Sequence, residues 1–188
     1  MSLLPFCEWL AGTAWSIALH ESLYLYPLVE TTHVLSIMLF VGTVAAVDLR
    51  LLGWRFREVP VSEVTGRILP WTALGFAIAV TSGALLFYAI PVRTYLSLFF
   101  RVKALALLAA GINAGLYHRW VARGSTWDTA SRPPRRVRVA GAVSLTAWVV
   151  VIVMGRMIAY DWFDCDKPQP ALVQWAAGCP ADPDVDLR

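Results

Sequence analysis

Four stretches of this chain are almost purely apolar, and each is bounded by connections that carry arginine or proline. A helix rising 1.5 Å per residue needs about 20 apolar residues to cross the hydrocarbon of a bilayer. By that measure the pattern predicts spans over residues 24–54, 68–90, 95–121 and 139–160. The last is the clearest, since Val139 to Ala159 contains a single charge, Arg156. Amphipathic helices of a soluble bundle would alternate apolar and charged faces, and these do not. Pro27 and Pro70 fall in the first turns of their helices, where proline disturbs least, and Pro91 closes the second span.

The segment before the first span has a different rhythm. Glu8, Gly12, Ser16 and His20 recur every fourth residue, and leucine, tryptophan and phenylalanine fill most positions between them. A narrow polar stripe on an apolar helix predicts one amphipathic helix over 3–21 lying in the membrane interface. A spanning helix that turns at Pro27 is the alternative. The start lacks a basic leader and carries Glu8 within its apolar stretch, so it does not read as a cleavable signal.

The fold class is therefore all-α: a four-helix transmembrane bundle preceded by an interfacial helix, with residues 1–162 as the membrane domain and 163–188 as a short external tail. Composition agrees, because only 15% of the 188 residues are charged, against about 25% in soluble domains. A net charge of +3 without a basic, aromatic-interleaved helix excludes nucleic acid as a partner. The lipid bilayer is the expected one. A periplasmic or membrane protein partner and a homo-oligomer both remain open.

Charge placement sets an orientation. Ten of the sixteen basic residues, Arg50, Arg55, Arg57, Arg67, Arg119, Arg123, Arg132, Arg135, Arg136 and Arg138, lie in or beside the connections at one end of the spans. The positive-inside rule makes that end cytoplasmic and puts the acidic tail outside a bacterial inner membrane. Cys165 and Cys179 fall in that tail, where an oxidising compartment permits a disulfide. Cys7 reads as an unpaired apolar residue, and no Cys/His spacing of a structural zinc site occurs.

Ionisable residues within spans are the best pointers to chemistry, since each costs at least ~2.5 kcal/mol at the bilayer centre. At the outer end the sequence gathers His20, Glu21, Glu30, His33, Arg101, Lys103, Arg156 and Tyr160. Glu30 and His33 share a helix face at the Glu-x-x-His spacing of metal-binding bundles, but only one such motif is present. A structural reading pairs Glu30 with Arg156. Among ligand readings, haem b takes His33 and His20 as axial ligands with Arg101, Lys103 or Arg156 on its propionates. Copper takes His33 and His20, with Met157 as a thioether and Glu30 behind them. A quinone held by His33 and Tyr160 is a third. At the inner end Asp48, Arg50, His118 and Arg119 form a polar cluster, read as a pair between Asp48 and Arg119 or Arg50 that pins helix ends. No acids line the middle of the bilayer, which disfavours a proton pump. Inverted repeats and a broken midplane helix, the marks of a transporter, are missing. Gly111 and Gly115, with Gly75, Ala79 and Gly83, read as helix-packing faces. Trp54, Trp71, Trp120 and Trp162 read as an interfacial belt.

The stretches ESLYLYPLVETTHVLSIMLFVGTVAAVDLRLLG, LPWTALGF, NAGLYH and GRMIAY resemble an uncharacterised family of small bacterial polytopic inner-membrane proteins, over nearly the whole chain to Tyr160. More distantly, the histidine opening one span and the Asp-x-Arg that closes it resemble copper-resistance and cytochrome-b561-like membrane proteins. That resemblance implies metal or haem, and with it a redox or metal-handling subunit passing electrons or ions to a periplasmic partner. A non-catalytic scaffold or anchor is the alternative.

Overall fold

A computed structural model describes residues 3–121 and 127–160, together with Cys165, Pro168 and residues 170–179. All of the regular structure described is helical. In chain order the helices are α1 (Leu4–Ala11), α2 (Ala14–His20), α3 (Leu25–Leu51), α4 (Val61–Ala89), α5 (Pro91–Leu96), α6 (Leu98–Leu116), α7 (Arg135–Met157) and α8 (Ala171–Ala177). Four are long and apolar enough to cross a membrane: α3, α4, α6 with its following π turn, and α7 with its closing 3₁₀ turn. The protein is thus a multi-pass membrane protein built from a four-helix bundle.

The chain alternates direction through α3, α4, α6 and α7, so the bundle has two ends. The histidine end holds the start of α3 and the close of α7. The arginine end holds the close of α3 and the start of α7. Helices α3 and α4 pack along each other, α6 packs along α7, and α3 meets α7 to join the pairs. At the histidine end Phe87 of α4 stacks on Phe100 of α6, ring centroids 5.7 Å apart.

Close approach of α3 and α4 depends on glycine. A Cβ on Gly75 would lie 2.9 Å from the backbone nitrogen of Phe40, a rigid neighbour. Space gained there is filled by Phe40, whose ring packs on Phe76 and edge-on to Trp148 of α7. Most other large apolar side chains of the spans face outward, as they should where lipid tails are as apolar as a protein core.

The segment predicted as one helix over 3–21 consists of two, α1 and α2. The break follows from Gly12 and Thr13. Thr13 is extended, accepts from the Ser16 N–H to cap α2, and its hydroxyl also bonds Leu10 O and Tyr88 Oη. Ser16 donates to Tyr88 O at 2.8 Å. One of the four polar stripe positions, Ser16, therefore serves a contact with the closing turn of α4 rather than solvent. On α1, Cys7 is a free, buried thiol packed with Val92 and Leu96 of α5. Burial, and then the charge of Glu8, push that thiol up from its ordinary range.

Three boundaries differ from the sequence expectation. Helix α4 starts at Val61, not near residue 68, and α7 at Arg135, not 139. A short helix, α5, precedes the third span after Pro91.

Candidate functional site

At the histidine end, four helices contribute to one region. His33 comes from the third turn of α3, about 12 Å from its start at 1.5 Å per residue. It is half-buried and turned toward α4, where its Nδ1 lies 2.9 Å from Ser82 Oγ. Ser82 has one hydroxyl proton, and that proton goes to Ile78 O at 2.6 Å. In the tautomer whose Nδ1–H donates to that hydroxyl, the imidazole lone pair is on Nε2.

The ring fits because residue 83 is glycine: a Cβ there would lie 3.0 Å from His33 Cε1. Ser82 also lines an apolar groove of about 380 Å³ on the outer half of the α3–α4 seam, with Leu28, Val29, Thr32, Ile78, Thr81 and Leu85.

Lys103 of α6 reaches the same region. Its Nζ lies 3.5 Å from the Cβ position of Gly155 on α7. No described carboxylate lies within ion-pair distance of it; the described ion pair, Arg67 with Glu63, is exposed at the other end.

The remaining outer residues are distributed as follows. Glu30 is exposed. Arg156 donates to Tyr160 Oη at 3.0 Å and lies over that ring, 4.9 Å from its centroid, rather than pairing with Glu30. His20 is exposed and its ring meets Tyr26 edge-on at 5.9 Å, two helical turns before His33, so the structure does not bring the two histidines together. Arg101 leaves the site and holds the tail: it donates to Ala176 O at 3.0 Å and packs against Gly178, whose φ of +69° suits glycine. The tail is closed by the disulfide Cys165–Cys179, with Cα atoms 5.4 Å apart. The acidic tail positions and the side chains of Trp120 and Trp162 lie outside the described residues.

At the arginine end the expected pairing does not form. Arg50 is fully buried, and its guanidinium donates to backbone carbonyls instead: Nε to Val59 O at 2.7 Å, and Nη2 to Asp128 O and Ala130 O at 3.2 Å. It thereby fastens the α3–α4 loop to the loop before α7. Asp128 completes the joint. Its carboxylate accepts from Ser62 N–H at 2.8 Å and Ser62 Oγ at 2.5 Å, capping α4 from 66 residues away. These bonds, the Ser62 hydroxyl first, hold its carboxyl below the usual range. Asp48 is buried and accepts from Ser144, with its Oδ2 unpartnered, as is Arg50 Nη1. His118 and Arg119 are exposed and take no part. Neither the carbonyl clamp nor the remote cap leaves a signal in sequence, because both are made by loops whose folding brings distant residues together.

Residues 20–161 match the model of a family of unknown function, DUF6644, and the chain belongs to that family. No curated protein matches it. No solved structure matches it either.

Proposed function

We propose that this member of DUF6644 is a membrane redox or metal-handling subunit in which His33 supplies the imidazole that meets haem b or copper. One observation supports the reading: Ser82 Oγ, which donates to Ile78 O, lies 2.9 Å from His33 Nδ1, an arrangement suited to the tautomer whose lone pair is on Nε2. Ligating histidines characteristically donate their other ring N–H to such a partner, which orients the ring and raises its basicity. The chain offers one imidazole ligand, from His33. His20 is not part of that set, being placed against Tyr26. Bound haem or copper would supply one-electron exchange; the chain's own residues orient the imidazole. The positive-inside rule assigns the arginine end to the cytoplasm of a bacterial inner membrane and the His33 region to the periplasmic half.

The test is a reduced-minus-oxidised absorbance spectrum of detergent-purified protein, with metal content by mass spectrometry. A Soret band lost in His33→Ala, or stoichiometric copper lost in the same variant, is the expected result. Ser82→Ala should weaken binding 10- to 100-fold. A colourless, metal-free preparation from cells grown with both haem and copper overturns the reading.

A second reading, a scaffold that docks another membrane protein, draws on α6. That helix has one fully buried residue, Ala110, so nearly all of its apolar surface is uncovered by the rest of the chain.

A further inference from the structure

Helix α8 turns its two largest side chains away from the rest of the chain. Leu172 is 77% exposed and Trp175 82%, and at a spacing of three they share one face. The opposite face is docked, with Ala177 fully buried. A helix of seven residues is too short to persist on its own propensity, so packing has to hold it. Its own chain covers only the side of Val173 and Ala177.

Three contacts fix the level at which α8 lies. Arg101, which donates to Ala176 O, stands three residues into α6, about 4.5 Å below the start of that helix. The same guanidinium lies over the ring of Tyr95, 5.4 Å from its centroid, and Tyr95 Oη accepts from the Leu3 N–H at 3.3 Å, just before α1. Cys165, joined by the disulfide to Cys179 after α8, packs against Cys7 of α1 and its neighbours Val92 and Leu96. Helices α1 and α8 therefore share one level, at the opening turns of a helix long and apolar enough to cross the membrane. Further along α6, Leu105 and Leu108 face outward into the hydrocarbon, and Phe6, Trp9 and Trp15 are exposed at the same end as α8. The free face of α8 thus stands at the edge of a lipid-covered surface, the level that tryptophan favours because its ring is amphipathic.

We infer that α8 docks on the lipid surface at the histidine end, with Leu172 and Trp175 inserted at the boundary between headgroups and acyl chains. The partner is the bilayer itself. The attraction is apolar and not electrostatic, since the segment after Tyr160 carries Asp161, Asp164, Asp166, Asp182, Asp184 and Asp186 against Lys167 and Arg188. The disulfide and Arg101 hold α8 to the bundle from one side, and lipid covers it from the other. This docking does not depend on what His33 binds.

The experiment uses the full, oxidised chain in nanodiscs of phosphatidylcholine. In a Cys7→Ala background, a nitroxide is attached at Leu172→Cys, and its collisions are compared with oxygen, which concentrates in lipid, and with a nickel chelate, which stays in water. The same label at Leu108→Cys marks the lipid limit, and at Glu58→Cys, in the exposed α3–α4 loop, the water limit. The oxygen-to-nickel ratio at Leu172→Cys should exceed that at Glu58→Cys by about threefold or more. A ratio equal to that at Glu58→Cys overturns the inference. A second measurement needs no added cysteine: the fluorescence of wild type minus that of Trp175→Phe isolates the emission of Trp175. Exchanging the lipid for phosphatidylcholine with brominated chains should quench about half or more of that difference. If the bromines leave it unchanged, Trp175 is in water and the docking is overturned even where a labelled variant misfolds. Because the attachment is apolar, neither result should change with salt; release of α8 at high salt overturns the apolar attachment.

Discussion

The two ends of the bundle treat a cation in opposite ways. At the arginine end, Arg50 is fully enclosed and three backbone carbonyls from two loops accept from it. At the histidine end, Lys103 is only partly buried and lies against Gly155 with no described carboxylate in ion-pair distance. A charge that its own chain surrounds is an architectural device. A charge that its chain leaves partly exposed carries no such fastening.

That contrast can be broken by substitution. Arg50→Leu is expected to have the largest effect, because it strips the carbonyls of Val59, Asp128 and Ala130 of their donor. We expect a loss of about 3 to 5 kcal/mol, read by circular dichroism during denaturation in mixed micelles. Lys103→Gln should cost under about 1 kcal/mol in the same assay without ligand. Equal losses would erase the distinction between the ends. Cys165→Ser with Cys179→Ser removes a loop closure worth up to about 3 kcal/mol. Because α8 is otherwise held through Arg101, the loss should appear as faster proteolysis of the tail, with unfolding of the spans unchanged. Gly75→Ala should cost about 1 to 3 kcal/mol, since the added methyl meets the backbone of Phe40.

The smallest effect is a pH dependence at the arginine end. The Asp128 carboxyl is held below its ordinary value by Ser62, so its folded pKa lies below its unfolded one. Its stabilisation is then present above the unfolded pKa, near 4, and is lost as pH falls through the folded value. Asp128→Asn should be less stable than wild type at pH 7, and the gap should narrow below about pH 4. A gap of constant size across that range would show that the carboxylate's charge contributes nothing to the cap.

The spans were legible because hydrophobic length is a local property, and Cys165 with Cys179 because both stand in the short acidic tail after the last span. What escaped was non-local. The first turn of α4 looks polar in sequence, and it is helical because Asp128 satisfies the Ser62 N–H from a distant loop. Arg50 invited a pairing with nearby charge. Backbone carbonyls, which no residue pattern advertises, took that role. At the candidate site, His33 stood out as an ionisable residue inside a span. Its partner Ser82 did not, because a serine within an apolar helix commonly bonds its own backbone, as this one also does. Arg156 was nearer to Tyr160, one turn away on its own helix, than any sequence argument for Glu30 took into account.

The clamp on Arg50 also sets an order of events in time. Two of its three carbonyls belong to Asp128 and Ala130, 78 and 80 residues further along the chain. At synthesis rates of about 5–20 residues per second, those residues emerge roughly 4 to 16 s after Arg50 does. During that interval the first two spans are inserted with a guanidinium that only Val59 can begin to cover. The hairpin of α3 and α4 is therefore an unfinished object until the loop before α7 arrives, and a chain truncated before Asp128 should be held by membrane quality control, not matured.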